Sequence, residues 1–164
     1  MLATYGHLLD GDESIADEAH KFSARIRDVS QQLATVAVQT GAGISSGIVT
    51  YDASCHLLYG QHSGEASLEM LRTIPGLDFA SLEGAERCCG GAGIYNLMEP
   101  EMSQSVLSEK LAQIVLTKAD ILTTGNPGCQ MQIGAGARLS GMSLKVCHPV
   151  ELLDESYRRA GFYD

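Results

Sequence analysis

The sequence predicts an α/β domain: a parallel sheet of about four strands with helices on both faces, preceded by an N-terminal helix. Three observations predict it. From residue 48 onward, short runs such as "GIVTYDA", "ADILTTGN" and "SLKVCH" alternate with helix-length segments, the pattern of parallel strands joined by helical crossovers. Pro100 stands where a helix tolerates proline best, in the first turn of an apolar-periodic stretch reaching about residue 117. Residues 13–33 carry one apolar stripe at helical spacing.

In chain order, Ile15, Ala19, Phe22, Ile26, Val29 and Leu33 recur at intervals of three and four, which predicts a single helix over 13–33. Residues 34–47 are small and Gly-rich and read as a linker, which divides the chain into 1–47 (helix and linker) and 48–164 (the main domain). "GIVTYDA" is the first strand, "GEASLEMLRTI" a helix, and "PGLDFASL" a turn and a second strand. The helix opened by Pro100 buries Leu107, Leu111, Ile114 and Val115. "ADILTTGN" is the next strand, followed by a helix over 129–140, the strand "SLKVCH", and a closing helix lined by Val150, Leu153, Tyr157 and Ala160.

Composition narrows the function. Eleven Lys and Arg against 20 Asp and Glu give a net charge of −9, and no basic cluster is present, which argues against nucleic acid as a partner. No run of 18 apolar residues is present to span a membrane, and the N-terminus lacks a signal-peptide core. The expected location is the cytoplasm, or the inner face of the membrane as a peripheral protein. Thiols stay reduced there, so the five cysteines point to metal, catalysis or packing rather than to disulfides.

Topology turns the cysteine spacing into geometry. Loops that follow parallel strands gather along one edge of the sheet. Cys55 follows the first strand, Cys88 and Cys89 the second, and Cys129 the third, so four thiols from three loops should meet at one rim. Gly90, Gly91 and Gly93 beside the thiol pair leave room for a bulky group against the backbone. The stretch "IYNLM" after them is expected to open a helix whose N–H groups face the thiols. Zinc sites usually draw on C-x-x-C pairs, which this chain lacks, whereas adjacent cysteines can reach two irons of a cluster. From spacing alone, an iron–sulfur cluster, zinc or another metal, and buried inert thiols all stay open. Cys147 reads as core packing rather than as a fifth ligand, His148 as the opening of the last helix, and Tyr51 and Tyr59 as packing.

"VTYDASCHLLYGQ", "IPGLDFASLEGAERCCGGAGIYNLMEPEMSQSVLSEKL", "ADILTTGNPGCQMQI" and "HPVELLDESYRRAG" together resemble the cysteine-rich CCG domain of glycolate oxidase iron–sulfur subunits. Related domains occur in lactate-utilisation proteins and in heterodisulfide reductases. The resemblance runs from about residue 49 to 160, and the N-terminal stretch is similar to the linker helix preceding this domain. It implies that Cys55, Cys88, Cys89 and Cys129 hold an iron–sulfur cluster, [4Fe–4S] or a non-cubane variant. From their positions beside the thiols, His56 is expected to donate a hydrogen bond to a bound group, Gly90 and Gly91 to give it room, and Asn126 to shape the turn that presents Cys129. Gln132 occupies the place of a fifth cysteine in the broader family.

The implied function is electron relay within a glycolate oxidase complex: a partner flavoprotein subunit carrying FAD oxidises a 2-hydroxy acid and passes the electrons on. This chain is expected to supply no catalytic residue and to correspond to the C-terminal half of its subunit, the N-terminal half being a further partner. Two alternatives belong to other classes: a structural or assembly module with a zinc or empty cysteine site, and a thiol enzyme of heterodisulfide reductase type. "TGAGISSGI" resembles the nucleotide-binding opening of sirtuins, but the Pro-Asp-Phe-Arg that should follow is replaced by "VTYDAS", and a loop is expected instead.

Overall fold

Three parallel strands in the order β1-β2-β3 form the sheet: β1 (Val49–Asp52), β2 (Ile121–Thr124) and β3 (Lys145–Cys147). The computed structural model describes residues 2–36, 38–44 and 47–163. Val49 pairs with Ile121 and Asp52 with Thr124, so β1 and β2 end level. The expected fourth strand in "PGLDFASL" shrinks to one bridge between Val49 and Phe79, on the far side of β1. There Val49 N–H donates to Asp78 O at 2.8 Å and Ala80 N–H to Val49 O at 2.9 Å. Pairing goes no further because the chain enters turns at Glu83–Glu86.

Alternation along the strands sends successive side chains to opposite faces. Val49, Tyr51, Ile121 and Cys147 share one core with Met70 and Leu71 of α4 (Gly64–Arg72) and Leu152 and Leu153 of α8 (Pro149–Arg159). Leu122 faces the other core, with Leu107, Leu111 and Ile114 of α6 (Pro100–Thr117) and Ile133 and Ala137 of α7 (Pro127–Leu139). Helices thus cover both faces, as expected. Within α6, Ser103, Leu107, Lys110, Leu111 and Ile114 are buried, but Val115 is 56% exposed. The buried stripe drifts past it, since each residue turns the helix by about 100°.

The single helix expected over 13–33 is instead α2 (Ala16–Ser23) and α3 (Val29–Thr35), after a one-turn α1 (Tyr5–Leu8). Hydrogen bonding at the junction explains the break. Arg27 donates to the carbonyls of Ala24 and Ile26, at 2.9 and 3.2 Å, just beyond the end of α2. Asp28 then starts α3 with a capping box: its Oδ1 accepts from Ser30 N–H, and Gln31 Oε1 accepts from Asp28 N–H, both at 2.9 Å.

The N-terminal segment packs on the α/β layers. Ser30 and Ser67 hydroxyls meet at 2.9 Å, Leu33 and Val38 pack against the first core, and Ala42 exchanges hydrogen bonds with Ser156 of α8. Within the Gly-rich loop, Ser45 and Ser46 lie outside the described residues. Replacing Asp28 by Ala is expected to lower the unfolding free energy by about 1 kcal/mol in urea titrations. No change would mean that the cap at this junction contributes nothing.

Candidate metal centre

All four cysteines singled out by spacing line one cleft of about 1020 Å³ at the carboxyl ends of the strands. Cys55 lies three residues past the end of β1, at the head of a π-turn over His56–Gly60. Cys129 is the third residue of α7, five past the end of β2. Cys88 and Cys89 arrive from the bridge segment through the loop at 81–87. Cys147 does not join them: it is buried in the core on the opposite face of the sheet. Burial and, secondly, Glu151 push its thiol up to about 11.

Cys89 Sγ and Cys129 Sγ are 3.1 Å apart, and both cysteines are free. The hydrogen bond between the two thiols holds Cys89 down at about 7, helped by the backbone N–H of Gly91 against the cost of burial. The same bond pushes Cys129 up, with burial adding to the effect. Cys55 is raised by burial and then by the nearby Cys88, while the backbone N–H of His56 works the other way. The His56 contact to sulfur is therefore made by its backbone, and the residue lines the cleft. Gly90 N–H donates to Cys88 Sγ at 3.3 Å. The expectation that a helix opened by "IYNLM" supplies these N–H groups is corrected here. α5 (Tyr95–Met98) is one turn that begins six residues after Cys89, and the donors come from the glycine turn instead.

Asn126 caps α7, its side-chain oxygen accepting from Gly128 N–H at 2.9 Å and Cys129 N–H at 3.2 Å. That cap fixes the backbone of Cys129. Gln132 lines the cleft one helical turn further on. Its amide donates to Ser103 Oγ at 3.0 Å and accepts from Asn96 Nδ2 at 3.1 Å, and Ser103 in turn donates to Gly90 O at 2.8 Å. This chain of bonds ties α5, α6 and α7 to the double-cysteine turn. Sequence reading named Gln132 but missed Asn96 and Ser103, which carry no local motif.

The glycines divide by role. Gly90 has φ +83°, and a Cβ there would lie 2.5 Å from Ser103 O, so only glycine fits the turn. A Cβ on Gly91 would instead sit without clash at contact distance from Cys89 Sγ (3.5 Å), Gln132 Cβ (3.6 Å) and Gly128 O (3.7 Å). That is a cradle beside the Cys89 thiol, and the four thiols lining the cleft are a donor set fit for a soft, thiolate-bound group larger than one ion. Among the described residues, no three His, Cys, Asp or Glu converge as a single-ion site. The mouth is apolar: Tyr59 and Met131, which line it, are 67% and 70% exposed, and Ile94 and Leu97 stand exposed beyond Gly93.

Residues 49–134, carrying all four thiols of the cleft, match the family described as "Cysteine-rich domain" (CCG). The chain belongs to the CCG family. It is 36% identical over 165 residues to the "Probable glycolate oxidase iron-sulfur subunit" of Bacillus subtilis (strain 168), a match covering 95% of this chain and 36% of the relative. With "Lactate utilization protein A" of Oceanobacillus iheyensis the identity is 33% over 162 residues, covering 98% of this chain and 66% of the relative. The protein of that name from Geobacillus thermodenitrificans is 32% identical, over 94% of this chain and 65% of its own length. The chain therefore spans between about a third and two thirds of the relatives it matches. No helix among the described residues is long and apolar enough to cross a membrane.

The two glycines should separate experimentally. Gly90→Ala is expected to cost about 1–3 kcal/mol in denaturant unfolding, because it meets both a left-handed backbone and a carbonyl. Gly91→Ala is expected to leave stability within about 0.5 kcal/mol of the parent. Equal costs would contradict the cradle.

Proposed function

We propose that this chain is an iron–sulfur electron-transfer module in which Cys55, Cys88, Cys89 and Cys129 hold one cluster. The observation that carries the reading is the convergence of four thiols from three loops on one cleft, beside a glycine whose missing Cβ leaves space. The printed names of the relatives support it, since one is an iron–sulfur subunit. A four-thiol set suits [4Fe–4S], and Gln132, hydrogen-bonded to Ser103 and Asn96, supports a count of four rather than five ligands.

When bound, such a cluster supplies one-electron chemistry. The rest belongs to the chain's own residues. Backbone N–H groups of Gly90, Gly91 and His56 point at sulfur and stabilise negative charge there. Asn126 orients Cys129, and the apolar mouth gives a partner a face on which to dock. In the whole assembly, a 2-hydroxy acid gives two electrons and two protons to FAD on a flavoprotein subunit, leaving a 2-oxo acid. The electrons then pass one at a time through this module. The N-terminal half of the iron–sulfur subunit is a further partner, and the working location is the cytoplasm or the inner face of the membrane.

A second reading is favoured by one observation, the Cys89–Cys129 contact at 3.1 Å: a dithiol that reduces disulfide substrates. Iron and sulfide analysis with a visible spectrum of anaerobically purified protein separates the two. Brown protein with about four irons per chain, bleached by dithionite, is expected. Metal-free, colourless protein that turns over a disulfide would replace the first reading by the second. Colourless protein with stoichiometric zinc would contradict both. Gly91→Val is expected to keep the circular dichroism of the parent while losing most of its iron.

A further inference from the structure

Among the residues that hold the cysteine loops is a buried charge pair that cysteine chemistry does not account for. Asp52 ends β1 and Lys110 stands in the middle of α6; Lys110 Nζ lies 2.8 Å from Asp52 Oδ1, and each side chain is 1% exposed. Removing two ions from water costs several kcal/mol apiece, and apolar residues of the same volume often serve a core equally well or better. Stability is thus a weak reason for the pair. Its other bonds lead to the cysteine loops. Lys110 also donates to Gly84 O at 2.9 Å and Ala85 O at 3.1 Å, just before Cys88 and Cys89. Asp52 Oδ2 accepts from Thr124 Oγ1 at 2.9 Å, at the end of the strand that leads to Cys129. Leu107 and Leu111, beside Lys110 on α6, share a core with Cys89 and Cys129. Asp52 ends β1 three residues before Cys55, and its partner Thr124 ends β2 five residues before Cys129.

We propose that the buried Asp52–Lys110 ion pair sets the reduction potential of the centre held by the four cysteines, with Lys110 also fastening the loop that carries two of them. This rests on reading the cleft as an electron-transfer site. Reduction there adds one electron and one negative charge and breaks no bond. A fixed carboxylate opposes that charge and a fixed ammonium favours it. Both act through a poorly screening interior, where charge has its longest reach. The two residues therefore work with opposite sign, which a packing defect does not imitate.

The test is a spectroelectrochemical titration of the anaerobically prepared full chain, with iron content measured alongside. Asp52→Asn, which keeps the shape of the side chain, is expected to raise the midpoint potential. Lys110→Gln is expected to lower it. Thr124→Val keeps both charges but takes a hydrogen-bond donor from the carboxylate, and is expected to lower the potential by less. Shifts of the same sign in the two charge variants, or none, overturn the proposal. If those variants do not fold, Thr124→Val decides, and an unchanged potential there overturns it. A parent protein that holds no reducible centre overturns this inference together with the function it rests on; a reducible centre with unmoved potentials overturns this inference alone.

Discussion

The parallel register of β1 and β2 is the constraint on which the rest depends. Because Asp52 sits opposite Thr124, the two strands release the chain at the same level, and Cys55 and Cys129 emerge over one edge. Thr124 Oγ1 donating to Asp52 Oδ2 closes that end of the ladder from within the protein. A slip of one residue would send each side chain to the opposite face. Leu122 would leave the core it shares with Leu107 and Ile133, and Asp52 would lose Lys110. Pairing, packing and the placement of the thiols are thus one condition met three times.

From that edge inward, the site is held by backbone, by neutral hydrogen bonds and, on the loop before Cys88, by the Lys110 ammonium. Asn126 caps the helix that bears Cys129, and Ser103 grips the carbonyl of Gly90 while itself held by Gln132. These partners come from α6 and α7, the helices that also bury Leu107, Ile133 and Ala137. The layer that stabilises one face of the sheet therefore also positions the double-cysteine turn, so disturbance of the core reaches the sulfurs. Cys147, on the other face, stands outside this arrangement.

Much of this was legible in the sequence. Alternating strand and helix patterns gave the layers, Pro100 gave the start of α6 to the residue, and cysteine spacing gave the shared rim. What failed did so for physical reasons. The stripe from Ile15 to Leu33 stays in helical phase across Asp28, so periodicity hid a break that the Asp28–Gln31 capping box makes. "LDFASL" has strand composition, yet it meets β1 at a single bridge because turns follow at once. Asn96 and Ser103 matter through partners 29 to 36 residues away, which no local pattern records. Lys110 was readable in principle: it stands three residues from Leu107 and four from Ile114, on the buried stripe, where a lysine demands a partner.

The account stands on four sulfurs serving one bound group, and differential alkylation read by mass spectrometry tests that directly. In protein purified anaerobically, Cys55, Cys88, Cys89 and Cys129 should all resist a thiol reagent, and all four should become reactive together once iron is stripped by oxidant and chelator. Cys147, buried in the opposite core, should stay slow in both states. If any one of the four reacts equally fast before and after stripping, the shared centre is contradicted.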